Sequence, residues 1–186
     1  MKETLKVIRD RRTTRKFKAK QIKEEELQAI LEAGIYAPSA SNKQSWNFTV
    51  IQNAELIEEL NIEAKEAAKN FPEESLKKMA NNDKFNAFYG APTVIIVSGD
   101  DNGLLPQADC AAATENMLIA AEALDIGSCW NGFVSILFNS EKGVKYKSKL
   151  NLPDGYTPYY AVLLGYKDVK ISNAPERKSN SVQFIR

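Results

Sequence analysis

The sequence is organised around one short basic stretch, which reads Arg11-Arg12-Thr13-Thr14-Arg15-Lys16-Phe17. Its first five residues carry three guanidinium groups and two hydroxyl groups, directly after a segment with helical periodicity. A guanidinium group stays charged at any working pH and binds phosphate or carbonyl oxygens through paired, coplanar N–H donors. The stretch is therefore suited to grip an oxygen-rich anion.

A second interpretation of the same stretch stays open. Arg9, Lys18 and Lys20 extend it into a basic run, and such runs are usually solvated surface or contact nucleic acid. The formal net charge of the chain is only +1, whereas binding to a nucleic-acid backbone generally needs a clear excess of Lys and Arg. We therefore expect no nucleic-acid partner, and a basic-armed nucleic-acid-binding protein remains the non-enzymatic alternative.

The composition is that of an ordinary globular domain. Hydrophobic residues make up 44% and charged residues 26% of the 186 residues, which is typical of soluble proteins. No linker or internal repeat divides the chain, so we expect one domain over residues 1–186. The sequence opens without an apolar signal segment and has no apolar run near the length of a membrane span, which predicts a cytoplasmic protein without a membrane partner.

The chain contains no histidine. This excludes Ser-His-Asp and Cys-His nucleophile pairs, and it excludes zinc held by imidazole. Cys110 and Cys129 alone cannot make a four-thiolate zinc site, so we expect no metal, and an intracellular setting predicts that they are not joined in a disulfide. If the protein is an enzyme, a bound organic cofactor carries the chemistry while the protein supplies grip and electrostatics.

Hydrophobic periodicity predicts the main helices and strands. The predicted helices are residues 3–11, 23–37, 54–69 with Asn53 as N-cap, 106–124 and 140–150, and a short one from Pro72 to Met79. The predicted strands are residues 48–51, 93–97 and 159–165, together with a short strand at residues 182–185 that ends a C-terminal arm.

Three segments keep two interpretations each. The polar loop from Ala37 to Phe48 is suited to carry binding groups, although a plain surface turn has the same composition. Residues 70–90 resemble a connector more than a flap. Residues 125–133 are predicted to be extended, and Gly127 is alternatively a helix C-cap. The alanine-rich helix 106–124 is either the centre of the core or half of a subunit interface.

These stretches, taken in order, resemble the FMN-dependent nitroreductase family over nearly the whole chain. The matching pieces are residues 11–17, Ala37 to Trp46, Gly90-Ala91-Pro92, the alanine-rich helix with Gly127 to Gly132, the segment Leu163 to Tyr166, and Arg177. The resemblance implies an α+β fold with a mixed, mostly antiparallel sheet between helical layers. It also implies an intertwined homodimer with two FMN sites at its interface.

The resemblance assigns cofactor-binding residues position by position. In that family the arginine cluster holds the flavin phosphate and pyrimidine edge, a Pro-Ser loop reaches the flavin from the other subunit, and a Trp-x-Gly segment lies along the ring with a main-chain N–H near N5. The residues implied here are Arg11, Arg12, Thr13 and Arg15 in the cluster; Pro38, Ser39, Ala40, Asn42 and Gln44 in the loop; Cys129, Trp130, Asn131 and Gly132 along the ring; and Arg177 at the phosphate.

Two positions qualify these assignments. Ser45 stands where the family usually has proline, and we expect this change to loosen the turn before Trp46 and the placement of Gln44. Cys129 could be taken for a redox thiol, but a reactive cysteine needs an exposed electropositive setting, so we expect it to be buried beside the ring.

The resemblance implies an oxidoreductase that moves hydride from NAD(P)H through flavin N5 to a flat, electron-poor nitroaromatic or quinone by a ping-pong mechanism. Guanidinium groups near the flavin would stabilise the negative charge that reduction adds, and no protein nucleophile is needed. Alternatives within the same fold are a flavin reductase and a reductive dehalogenase. The charged trio by which the dehalogenase grips an amino acid is not recognisable in residues 70–90.

Overall fold

The computed structural model describes residues 3–169 and 173–186. Their elements, in chain order, are α1 (Glu3–Asp10), α2 (Glu24–Ile35), β1 (Trp46–Ile51), α3 (Ala54–Lys69), α4 (Glu74–Ala80), β2 (Thr93–Asp100), α5 (Pro106–Ala123), β3 (Ile126–Asn131), α6 (Phe133–Phe138), α7 (Gly143–Lys149) and β4 (Tyr156–Tyr166). The helices predicted from periodicity are confirmed. So is the N-cap of α3, because the Asn53 side chain accepts a hydrogen bond from the Leu56 N–H at 2.9 Å.

The described strands form a four-stranded sheet in the order β1-β2-β4-β3, in which each neighbouring pair is antiparallel. The mixed character comes from the arginine stretch, where Thr13 pairs with Ser128 of β3 in parallel. Strands β2 and β4 are central, whereas β1 and β3 form opposite edges of the sheet. The loop that leads into β1 and the residues at the end of β3 are therefore held apart by the width of the sheet.

Helices cover both faces of the sheet because successive β2 side chains point to opposite sides. Ile95 and Val97 pack with Met117 and Leu118 of α5 on one face. On the other face, Val94 and Ile96 belong to a core cluster with side chains of α3, α6 and α7, among them Leu60, Leu137 and Tyr146. This is the predicted α+β arrangement of a sheet between helical layers.

The structure differs from the prediction around the end of β3. Residues after Gly132 form helix α6, which the sequence did not predict, and the Asn131 Oδ1 atom accepts a hydrogen bond from the Phe133 N–H at 2.9 Å where the helix begins. Gly127 lies inside β3 rather than at a helix C-cap, and Asp125 takes the left-handed conformation instead, with φ of 57°. The extended interpretation of this segment is confirmed for Ile126–Asn131 and wrong for its two ends, Asp125 and Phe133.

The predicted strand at residues 182–185 is wrong. Residues 173–186 contain no strand, and the side chains of Val182, Phe184 and Ile185 are 71%, 75% and 92% exposed. The alternating apolar pattern is suited to a strand, but a strand needs a neighbouring strand to bond to, and none of the described strands pairs with this arm.

Neither cysteine is placed for nucleophilic or redox chemistry. Cys110 and Cys129 are free and buried, one in each core cluster. Burial, with a smaller contribution from the Asp109 charge, raises the pKa of the Cys110 thiol to about 12. Burial also raises the pKa of Cys129. The predicted burial of Cys129 is confirmed.

No helix within the described ranges is both long enough and apolar enough to cross a membrane.

We expect a Gly127→Ala substitution to destabilise the fold by about 1–3 kcal/mol, because it overpacks a close contact. An added Cβ would lie 2.9 Å from Thr14 Cγ2 and 3.0 Å from the Gly165 carbonyl oxygen. Gly132→Ala is the matched control, since no described heavy atom lies within 4 Å of its Cβ position. Urea denaturation of the ligand-free variants measures both. Equal stability of the two would contradict this close packing at Gly127.

We expect both thiols to resist a thiol-specific reagent in the folded protein at pH 8. The nucleophile is the thiolate, and a raised pKa keeps each buried thiol protonated at this pH. Absorbance at 412 nm with Ellman's reagent should rise only after urea is added. Rapid labelling of either cysteine in the native state, located by mass spectrometry, would show that the thiol is not buried in the core.

Candidate functional site

The arginine stretch lies against the edge strand β3. The Thr14 N–H donates to the Ser128 carbonyl at 2.8 Å, next to the parallel Thr13–Ser128 pairing. Further along, the Lys18 N–H donates to the Tyr166 carbonyl at 2.9 Å. Gly127 permits the approach, because any larger residue there would strike Thr14. The stretch therefore contacts β3 at Ser128 and then runs to the end of β4 at Tyr166 and Lys167.

Two guanidinium groups of the stretch are partly buried rather than solvated. The Arg12 Nη1 atom donates to the Arg9 carbonyl at 2.6 Å and to the Arg11 carbonyl at 2.8 Å, near the C-terminus of α1. The Arg12 Nε and Arg11 Nη1 atoms are buried and find no hydrogen-bond partner among the described residues. A buried, charged donor left unpaired is unfavourable, so these two atoms mark a place for an anionic or carbonyl acceptor.

Arg15 brings a third positive charge to the same place. Its guanidinium carbon lies 5.7 Å from the centre of the Tyr89 ring, within range of a cation–π contact. Burial raises the pKa of the Cys129 thiol, and the charges of Arg15 and Arg11 oppose that rise. Both guanidinium groups are thus close enough to act electrostatically on Cys129.

The end of β3 is open at Gly132. A Cβ built on Gly132 would meet no described heavy atom within 4 Å. Trp130 is 37% exposed, and its ring packs edge-on against Tyr160 with centroids 4.8 Å apart. The backbone of residues 130–132 can therefore face a flat ligand, with an aromatic side chain at one border.

Asn131 has a structural role that the sequence did not predict. Its side chain is buried, and its Nδ2 atom donates to the Ala87 carbonyl at 2.7 Å. The Ala87 N–H donates in turn to Asn61 Oδ1 at 2.7 Å. The side-chain amides of Asn131 and Asn61 fix Ala87 between α3 and the end of β3. The same segment places the Tyr89 ring against the Arg15 guanidinium group. The stretch from Phe85 to Tyr89 is an anchored wall of the site, which supports the connector interpretation over a flap.

The polar loop at residues 38–44 adopts an unusual backbone. Ser41, Asn42 and Gln44 have φ values of 50°, 52° and 49°, in the left-handed region that residues other than glycine rarely adopt. The Ser39 Oγ atom accepts a hydrogen bond from the Gln44 N–H at 2.9 Å, which closes the loop. The sequence showed that this loop is polar, but its left-handed residues were not predictable from composition.

Asp109 holds this loop, and sequence analysis missed it. The carboxylate is only 4% exposed, and its Oδ1 atom accepts a hydrogen bond from the Ala40 N–H at 2.8 Å. Its Oδ2 atom accepts one from the Ser45 hydroxyl at 2.6 Å. Ser45 therefore tethers the turn that we expected its presence to loosen. The available signal was an acidic residue within an otherwise apolar stretch of α5.

The predicted site residues fall into two groups that one chain does not bring together. The stretch with Arg11, Arg12, Thr13 and Arg15 meets the β3 edge at Ser128, and Arg11 and Arg15 lie near Cys129, whereas the loop 38–44 leads into β1 at the opposite edge. Three strand spacings of about 4.8 Å separate these edges, roughly 14 Å in all. Arg177 lies exposed in the C-terminal arm.

Comparison with known proteins gives consistent matches. The model of the nitroreductase family matches residues 8–166. A crystal structure of a nitroreductase with bound FMN from Bacteroides fragilis superposes with a TM-score of 0.92 at 33% identity, over 100% of both chains. One from Desulfitobacterium hafniense, also with bound FMN, has a TM-score of 0.90 at 31% identity and the same coverage.

A relative from Archaeoglobus fulgidus is 34% identical over 177 residues, which cover 91% of this chain and 89% of the relative. Its name includes the words NADH dehydrogenase/NAD(P)H nitroreductase. The family model spans most of the chain, and the folds agree over their full length. The chain therefore belongs to the nitroreductase family.

Proposed function

We propose that this protein is an FMN-dependent oxidoreductase that reduces a flat, electron-poor nitroaromatic or quinone, with NAD(P)H as the electron donor. The observation that carries the proposal is the pair of buried guanidinium atoms, Arg11 Nη1 and Arg12 Nε, that find no partner among the described residues, in the stretch that pairs with β3 at Ser128. Membership of the nitroreductase family, and FMN in two relatives that share the fold, support it.

The donors present fit the chemistry of FMN. Its phosphate dianion and its pyrimidine carbonyl groups are acceptors without donors, and Arg11, Arg12, Arg15 and the Thr13 hydroxyl offer donors only a few residues apart. The space in front of Gly132 leaves room for a planar ring. A substituent on the backbone there would fill this space. The arginine and threonine side chains of this stretch therefore fit FMN.

The chain contributes grip and electrostatics to the reaction. Arg11, Arg12, Thr13 and Arg15 would hold FMN, which would supply hydride transfer between NAD(P)H and an acceptor that uses the site in turn, a ping-pong cycle. Arg11 and Arg15 hold positive charge near Cys129, where it stabilises negative charge on a bound ligand. Phe85 to Tyr89, anchored through Ala87, would form one wall of the site, and a main-chain N–H of Asn131 or Gly132 would be directed at the ring.

A second copy of the chain completes the site in this proposal. The loop carrying Pro38, Ser39, Ala40, Asn42 and Gln44 lies at the far edge of the sheet from the arginines, which suits a site that the loop of a second subunit completes. Apolar side chains on α1, on the end of α2 and in the arm are at least half exposed, which suits an intertwined homodimer. They are Leu5, Ile8, Ile35, Tyr36, Val182, Phe184 and Ile185. The same arm would bring Arg177 to the phosphate.

We expect the purified protein, reconstituted with FMN, to be yellow and to lose its visible absorbance under anaerobic conditions when NADH or NADPH is added. Adding nitrofurazone or menadione should restore the colour. Initial rates measured against both substrates should give parallel double-reciprocal lines, because the two substrates use the site in turn. A colourless protein with salt-sensitive DNA binding would contradict the proposal in favour of the basic-armed alternative. Turnover of a halotyrosine alone would replace it with reductive dehalogenation.

We expect Arg11→Gln to weaken FMN binding by about 10- to 100-fold, since a hydrogen bond to a charged group contributes roughly 1.5–3 kcal/mol. The matched control is Arg9→Gln, because Arg9 is an exposed arginine two residues before Arg11 whose backbone carbonyl, not its side chain, accepts the hydrogen bond from Arg12. Fluorescence titration of the apoprotein with FMN measures both. Equal FMN affinities of the two variants would show that Arg11 does not bind the cofactor.

A further inference from the structure

The buried carboxylate of Asp109 is stabilised by hydrogen bonds and not by an ion pair among the described residues. None of the ion pairs formed among the described residues includes it, although it is 4% exposed. A buried carboxylate without a cation requires other compensation. Asp109 has two sources of it: the Ala40 N–H and Ser45 O–H donors, and its place in the first turn of α5, where the helix dipole favours negative charge.

The two donors bracket the strained part of the loop. Ala40 precedes and Ser45 comes after the left-handed residues Ser41, Asn42 and Gln44. Left-handed conformations are unfavourable for residues other than glycine and persist when surrounding contacts impose them. One carboxylate bonded on both sides of the three residues is such a contact. The conformation of the loop therefore depends on a residue that lies 64 positions from Ser45 along the chain.

We propose that Asp109 and Ser45 form a positioning pair that sets the loop 38–44 in its ligand-binding conformation before the cofactor arrives. The inference rests on the proposed function, in which this loop meets the FMN bound by the other subunit. In this proposal neither residue of the pair needs to touch the cofactor. The pair acts through the loop, by reducing the conformational freedom that would otherwise be lost on binding.

The pair also predicts that the proline usual at this position in the family is not equivalent to Ser45 in this chain. Proline would remove the hydroxyl that donates to Asp109. It would also restrict the residue before it to extended conformations with negative φ, whereas Gln44 has φ of 49°. Ser45→Pro should therefore disturb the loop more than Ser45→Ala does, although proline is the residue that the family uses.

The test compares Ser45→Ala, Ser45→Pro and Asp109→Leu with Ser98→Ala as the matched control. Ser98 is also a buried serine, in strand β2, but its hydroxyl finds no hydrogen-bond partner among the described residues. Asp109→Asn is the conservative variant, since an amide can still accept from the Ala40 N–H and can donate to the Ser45 oxygen. Three properties of each apoprotein are measured: the FMN dissociation constant, the melting temperature, and the rate of tryptic cleavage after Lys43, relative to cleavage after Lys78 on α4.

We expect Ser45→Ala and Asp109→Leu to weaken FMN binding about tenfold or more and to accelerate cleavage after Lys43, with Ser45→Pro affected most. Ser98→Ala and Asp109→Asn should stay within about twofold of the wild type. A merely structural role would instead lower the melting temperature without selective cleavage at Lys43. FMN affinity and Lys43 cleavage in Ser45→Ala that both match the wild type would overturn the proposal, even if Asp109→Leu fails to fold.

The two proposals fail in different ways. If the wild-type apoprotein does not bind FMN, the proposed function is wrong, yet faster cleavage after Lys43 in Ser45→Ala would still demonstrate the tether. If the wild type binds FMN and Ser45→Ala binds it equally well with unchanged cleavage, the function stands and the positioning pair is refuted.

Discussion

The backbone hydrogen bond from Thr14 to Ser128 is the contact on which the site depends. It adds a short parallel segment to the edge of an antiparallel sheet and thereby turns a basic run into a structured group of guanidiniums. The contact requires a strand residue without a side chain, which Gly127 supplies. Once the stretch is fixed, Arg12 bonds to carbonyls near the end of α1, and atoms of Arg11 and Arg12 become buried with their donors unused. A charged side chain in that state is prepared for an acceptor, and solvated surface arginines are not.

Much of the fold could be predicted from the sequence, because most of its elements bury one regular face. Periodicity is enough to locate α3, and a continuous run of β-branched apolar residues locates the central strand β2, whose residues Thr93 to Gly99 are buried. Helix α6 escaped prediction because Phe133 to Phe138 is a short apolar run, for which helix and strand patterns are indistinguishable. The segment Val182 to Ile185 has the alternating pattern of a strand but, among the described strands, no neighbour to pair with. A local sequence pattern does not show whether such a neighbour exists.

The candidate site also has parts that local sequence determines and parts that depend on contacts between residues distant in the sequence. The guanidinium cluster is contiguous in sequence, so its chemistry could be predicted from residue types alone. Asp109 could not be identified in this way, because it acts on Ala40, which lies 69 positions away, through a contact that exists only after α5 packs against the loop. The amide of Asn131, which fastens Ala87 across 44 positions, is a second case. The place of Arg177 at the phosphate remains a prediction, as does the single domain over residues 1–186.

The central claim is that each site combines the arginines of one subunit with the loop of the other, and mixed dimers test it most directly. Arg11→Glu places a negative charge against the phosphate, and Ala40→Trp fills the loop's side of the site, so neither homodimer should retain FMN. A dimer purified with one subunit of each kind has one site with both defects and one with neither. We predict about half the flavin content of the wild-type dimer. A mixed dimer without flavin would contradict the claim, because each chain would then have to supply both groups to its own site.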